Sequence, residues 1–297
     1  MTNTRIVSRY NSFPGIIPPQ SNNYTISHIQ NKYKTRCKTY LIVVGCEYRG
    51  QSAELMGCAR DARNIAACFR DKYGIPQSHI LLLTEDNQRS PNRSNILGAL
   101  EKCIQMAANG ECSQIIFYYS GHGTGELDRN GDELDGQDEV ILPNDYSQSG
   151  VISDDLLYQM FQRVPSNCKT LYIFDSCNSG TMGDLDYAFS ESQPNQIVSA
   201  TRRTTPVSAD SICISGCQDD QTSTVIQENG TWESALTLAL LEILRSNPGT
   251  LSLSQLQSQL RSWMIRRSLT QRPMVTFSNP SAGKFTLRTS QSSQNYL

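Results

Sequence analysis

The sequence predicts an α/β protein: a mostly parallel central sheet of about six strands, flanked by helices on both faces. Short apolar runs alternate along the chain with segments of helical spacing, an order that right-handed crossovers turn into a parallel sheet. The runs are continuous rather than alternating in polarity, as in Tyr40-Leu-Ile-Val-Val-Gly45 and Gln114-Ile-Ile-Phe-Tyr-Tyr119, so both faces of each strand are expected to be covered. A composition of 38% hydrophobic and 18% charged residues over 297 positions supplies a substantial core and rules out disorder of the whole chain.

Each element has its own signal. Residues 1–36 carry Pro14, Pro18, Pro19 and a polar tract without periodicity, and are read as an irregular extension. The first strand follows at 40–45. Ala62, Ile65, Ala66, Phe69 and Tyr73 stand at helical spacing and predict a helix over 59–73, closed by Gly74 and Pro76. A strand at 79–84, a helix at 94–108 and a strand at 114–119 come next, then a helix at 153–163 with Ser153 as N-cap and a strand at 170–174. The polar stretch 191–209, with Pro194, Arg202, Arg203 and Pro206, reads as an exposed linker. Beyond it lie a strand at 211–215, helices at about 232–246 and 252–268, and a last strand near 274–277. There are no repeats, so 210–297 is expected to complete the domain begun by 37–190.

Composition removes several function classes. With 26 basic against 28 acidic residues and a net charge of −2, the chain lacks the basic excess by which proteins neutralise nucleic-acid phosphates or anionic membranes. No apolar run reaches the ~20 residues of a membrane-spanning helix, and the first residues lack a secretory h-region, so a cytoplasmic place, or a nuclear one, is expected. The ten cysteines include no C-x-x-C pair and several lie inside apolar runs, the pattern of reduced, buried thiols. Nucleotide binding has no support either: neither G-x-G-x-x-G after the first strand nor G-x-x-x-x-G-K-[ST] occurs.

In open α/β sheets, ligands and catalytic groups collect beyond the carboxyl ends of strands. Two ends stand out: Tyr119-Ser-Gly-His-Gly123 and Phe174-Asp-Ser-Cys-Asn-Ser-Gly180. His122 between two glycines leaves an exposed imidazole. Cys177 holds the matching place after another strand. A histidine able to take the thiol proton beside a cysteine makes a nucleophilic pair, because thiolate is the reactive form. His28 and His79, in the extension and at a strand start, fit less well.

These two blocks resemble the caspase-like fold and, within it, the metacaspases; the likeness covers about 38–280. Asp175 stands two before the cysteine, where the caspase signature has Gln. Ile214-Ser-Gly-Cys-Gln-Asp-Asp-Gln-Thr-Ser223 and Gln271-Arg-Pro273 resemble the start and end of the family's small-subunit region, which makes 37–190 large-subunit-like. The short linker suits the type I arrangement. Asn178 replaces a frequent His and is expected to matter little.

The resemblance implies a calcium-dependent cysteine endopeptidase with Cys177 as nucleophile and His122 as proton carrier. The backbone N–H groups of Gly123 and Cys177 would form the oxyanion hole, and Asp61, Ser120 and Asp175, with Cys58 nearby, an acidic pocket for Arg or Lys at P1. Protein or peptide substrates with basic P1 residues are the implied partners; the oligomeric state stays open, with a monomer favoured. The acidic stretch 128–139 fails as an EF-hand, because Glu133 stands where glycine is required and an apolar run follows. The resemblance instead implies Ca²⁺ on Asp138, Asp154, Asp155 and Asp184. Lys32, Lys34, Arg36, Arg202 and Arg203 are implied self-cleavage sites of a zymogen. The alternative is a caspase-like scaffold in quality control or regulation with weak or absent peptidase activity.

Overall fold

The apolar runs find cover on both faces of one sheet. The computed structural model describes residues 38–127, 136–177, 182–190, 193, 195–200, 206–216, 224–228, 230–247, 251–280 and 286–287. Residues 1–36 with Lys32, Lys34 and Arg36, residues 128–135 of the acidic stretch, Asn178, and the Arg202 and Arg203 pair lie outside the described residues. Along the chain come β1 (Thr39–Gly45), α1 (Cys58–Tyr73), β2 (Ile80–Thr84), α2 (Arg93–Ala108), β3 (Gln114–Ser120), β4 (Gly123–Leu127), β5 (Gln137–Ile141), the one-turn α3 (Tyr146–Ser149), β6 (Ile152–Ser153), α4 (Asp154–Phe161) and β7 (Lys169–Asp175). Then follow β8 (Tyr187–Phe189), β9 (Ile197–Ser199), β10 (Ser211–Ser215), the hairpin β11 (Val225–Glu228) and β12 (Thr231–Ser234), α5 (Ala235–Ser246), β13 (Leu251–Ser252), α6 (Leu253–Arg266), β14 (Met274–Phe277) and β15 (Thr286–Leu287).

The main sheet runs β2-β1-β3-β7-β10-β14-β8-β9. Its first five strands are parallel, and β14, β8 and β9 join antiparallel. Side chains of β3 leave alternately: Ile116 and Tyr118 enter one core with α1, α5 and α6, while Ile115, Phe117 and Tyr119 enter a second with α2 and α4. This two-sided burial is why the strands show no polar face. The helices begin where side-chain oxygens can cap them: Asn92 accepts from the Asn95 N–H (2.8 Å), Ser153 from Leu156 (3.2 Å), and Ser252 closes a capping box with Gln255.

The structure departs from the sequence expectation at three places. The sheet has eight strands rather than about six, because β8 and β9, three residues each, are too short to show a period. β9, itself exposed, also falls inside the segment read as an exposed linker, and Val207 and Ala209 of that segment are buried. The helix expected from about 232 begins at Ala235. Residues 231–234 pair with β11 instead, and Ser234 caps the helix by accepting from the Leu236 N–H (3.2 Å). Among the described residues, no helix is long and apolar enough to cross a membrane.

Leu260 of α6 is fully buried in the core on the α5 side. Leu260→Ala is expected to destabilise the protein by about 2–5 kcal/mol, through lost transfer energy and the cavity left behind, read as a lower urea midpoint at unchanged slope.

Candidate active site

The pairing of β3 with β7 sets the geometry. The two are adjacent, parallel and in register to their last residues, Ser120 opposite Asp175, and the Gly121 N–H reaches the Asp175 carbonyl at 3.4 Å. His122 and Cys177 each follow their strand by the same two positions, so they emerge side by side. The chains then come closer still. A Cβ on Gly123 would lie 2.3 Å from the Cys177 carbonyl oxygen and 3.0 Å from the Ser176 Cβ, so only glycine lets the histidine loop meet the cysteine loop.

Exposure singles out the thiol. Among the described cysteines, Cys177 is partly exposed, whereas Cys46, Cys58, Cys68, Cys103, Cys112, Cys168 and Cys213 are buried. Burial pushes the Cys103 and Cys213 thiols up to about 12, which keeps them protonated and unreactive at neutral pH. His122 is partly exposed as well. Its Nε2 lies 2.8 Å from the Ala53 carbonyl oxygen. A carbonyl only accepts, so Nε2 carries the proton and Nδ1 is the nitrogen left for a thiol proton.

One layer deeper lies a pair of buried carboxylates. Asp61, in the first turn of α1, and Asp175, at the end of β7, are 2% and 3% exposed. Asp175 is well satisfied: Ser234 Oγ donates to Oδ1 (2.5 Å), and Thr237 Oγ1 (2.5 Å) and the Tyr118 hydroxyl (3.4 Å) donate to Oδ2. Asp61 is not. Its Oδ2 accepts from the Ser234 N–H (3.1 Å), but its Oδ1 is buried without a hydrogen-bond partner. Burial, and then repulsion from Asp175, hold the Asp61 carboxyl well above the usual carboxylate range. Ser120 and Cys58 are buried beside them; burial pushes the Cys58 thiol up, against a hydrogen bond from Ser120 that lowers it. Ser234, Thr237 and Tyr118 carry no sequence signal for this role, because hydroxyl residues far apart in the chain reveal nothing of a shared carboxylate.

A second acidic group draws on residues from both sides of Cys177 in the chain. Asp154, Asp155 and Asp184 bring carboxylate oxygens to within 4.8 Å of one another. Asp154 is fully buried and accepts from the Glu139 and Asp155 N–H groups, both at 2.6 Å. Asp184 is buried and held in a left-handed conformation (φ 47°). Asp138 sits on β5 next to Glu139, and its carboxylate falls outside that cluster. Oxygen ligands of this kind suit a hard divalent cation.

With this geometry in view, similarity to known proteins gains meaning. A family model described as metacaspase, peptidase C14 domain, matches residues 40–186. A Metacaspase-1 of Yarrowia lipolytica is 29% identical over 89% of this chain and 67% of its own length. A Metacaspase-1 of Mycosarcoma maydis is 30% identical over 91% of this chain and 76% of its own length. The crystal structure of Caspase-1 from Spodoptera frugiperda superposes with a TM-score of 0.55 at 14% identity, covering 86% of this chain and 89% of that one, a likeness of fold.

The state of Asp61 gives a measurable consequence. The native protein holds the Asp61 proton more tightly than the unfolded chain does, so stability falls as pH rises from the unfolded carboxylate value through the raised native one. Asp61→Asn, which keeps an acceptor for Ser234 and removes the charge, is expected to raise Tm at pH 7 by about 2–4 °C, with the gain vanishing near pH 3. Equal Tm values at pH 7 would contradict it.

Proposed function

The chain belongs to the metacaspases, a family of C14 cysteine peptidases, and from that premise we propose that it is an endopeptidase that cuts after Arg or Lys, with Cys177 and His122 as a catalytic dyad and calcium as activator. The observation that carries the P1 preference is Asp61 Oδ1, a buried acceptor with no partner, next to a fully bonded Asp175. A guanidinium or ammonium entering here would supply donors to Oδ1 and relieve the repulsion between the two carboxylates; an acidic P1 side chain would add to it.

The dyad works as follows. Cys177 passes its proton to His122 Nδ1 and its sulfur attacks the scissile carbonyl carbon. The oxyanion lies against the N–H groups of Gly123 and Cys177. His122 gives the proton to the leaving amine, then takes one from the water that hydrolyses the thioester. The Ala53 carbonyl keeps Nε2–H occupied, so Nδ1 stays on the cysteine side in each step.

Asp154, Asp155 and Asp184 fit a calcium ion by donor type and spacing, with Asp138 on the neighbouring strand available to join them. Bound there, calcium would neutralise the cluster. Asp184 belongs to the connection that leaves Cys177, so ordering this cluster would order the chain beside the nucleophile. Self-processing at the basic residues of the extension and of 202–203, in a cytosolic zymogen, follows from the same specificity.

Cys177→Ala is expected to reduce cleavage of Arg and Lys peptides in a P1 library by about 10³-fold or more; retained cleavage removes the nucleophile assignment. Asp175→Asn should lower kcat/KM for an Arg substrate by about 10²-fold, the scale of an unpaired buried charge contact. Calcium addition is expected to lower the intact mass by self-cleavage, and chelation to slow the parent and prevent that loss; equal rates and a persistent 33.1 kDa species would remove calcium activation and self-cleavage.

A further inference from the structure

Several contacts converge on His122, and three of them come from one loop. The Cys46 N–H donates to the Ser120 carbonyl (2.9 Å), one step past β1, and the chain then turns sharply at Tyr48, a buried non-glycine residue at φ 54°. That left-handed conformation is costly for a side chain with a Cβ. Glu85 at the end of β2 holds it: its carboxylate accepts from the Tyr48 N–H (2.8 Å) and the Glu47 N–H (3.0 and 3.1 Å).

The turn sends the Tyr48 ring beneath the imidazole, centroids 4.8 Å apart and tilted by 35°. Its hydroxyl accepts from the His122 N–H (2.9 Å) and donates to the Leu142 carbonyl (2.6 Å). The Tyr119 hydroxyl, 3.0 Å from that of Tyr48, donates to the His122 carbonyl (2.8 Å). Both phenols fit because residue 121 is glycine: a Cβ there would come within 2.6 Å of one hydroxyl and 2.9 Å of the other. The loop that carries Tyr48 also supplies the Ala53 carbonyl on Nε2.

We propose that Tyr48 is the positioning residue of His122: through its ring face and its hydroxyl it fixes the direction in which the imidazole presents Nδ1 to Cys177, with Tyr119 as its partner. This rests on the reading of His122 as the proton partner of Cys177. A tyrosine that only filled the core would affect folding alone; a positioning residue sets the alignment of the reacting groups and therefore kcat, while the pocket that binds P1, built from other residues, leaves KM in place.

The test compares Tyr48→Phe, Tyr48→Leu and Tyr119→Phe with Tyr172→Phe, a tyrosine fully buried against Phe161 on the same side of the sheet. Tyr48→Phe is expected to lower kcat by about tenfold to a hundredfold, the penalty of misalignment, with KM within about twofold of the parent. Tyr48→Leu should lose more, so that the ring in Tyr48→Phe counts as partial rescue; Tyr119→Phe should lose less and serves if Tyr48 variants do not fold. Tyr172→Phe should leave kcat unchanged. Alkylation of Cys177 by iodoacetamide, read by peptide mass spectrometry, should slow in the Tyr48 variants in parallel with kcat. A kcat within twofold of the parent in folded Tyr48→Phe, or an unchanged alkylation rate, overturns the proposal. If Cys177→Ala cleaves like the parent, the peptidase reading fails separately, and the alkylation rate still decides whether Tyr48 aligns His122 on Cys177.

Discussion

The parallel pairing of β3 with β7 is the constraint on which the site depends. Because parallel neighbours advance in the same direction, their carboxyl ends leave the sheet together, and Ser120 opposite Asp175 fixes which residues meet. A one-residue slip of β3 would turn Phe117 away from Phe174, on which it packs, and towards the opposite core. Two-sided burial makes such a slip expensive. The energy that holds His122 beside Cys177 is therefore spread through the sheet interior rather than concentrated in contacts between the two side chains.

Electrostatics works against that core at one point. Two carboxylates buried within reach of each other, one of them short of hydrogen bonds, are a burden on the free protein, since desolvation disfavours their charge and repulsion adds to it. The hydroxyls of Ser234, Thr237 and Tyr118 lessen it for Asp175 alone. In the proposed reading, a basic P1 side chain would offset that burden. Natural proteins retain such unfavourable groups mainly where function needs them.

How far the sequence reveals this depends on the range of the physical signal. The long strands and helices were readable because their periods repeat over several residues. β8 and β9 were not, and the start of α5 was displaced because a hairpin outweighed the local helical pattern over 232–234. His122 and Cys177 stood out by chemical type at strand ends, whereas Asp61 gained significance only through family resemblance. Ser234 and Tyr48 stayed hidden: their parts depend on pairings across more than 70 residues that no local pattern encodes. Tyr48 leaves a trace only in its backbone, where a buried aromatic residue adopts a glycine-like turn.

The segment after β1 carries Tyr48 and Ala53, which contact the histidine, then Cys58, which is buried beside the acidic pair, and Asp61, one of its two members. Glu47 links its two ends, accepting from the Gly57 and Ala59 N–H groups at 3.3 Å while its own N–H is tied to Glu85. On the proposed reading, alignment of the base and choice of side chain are thus written on one short stretch of backbone. An insertion or exchange there would alter both at once, so efforts to redirect selectivity through this loop would meet a loss of turnover before any new preference emerged, and diversification is better accommodated from the hairpin and α5, which reach the same carboxylates from the opposite wall.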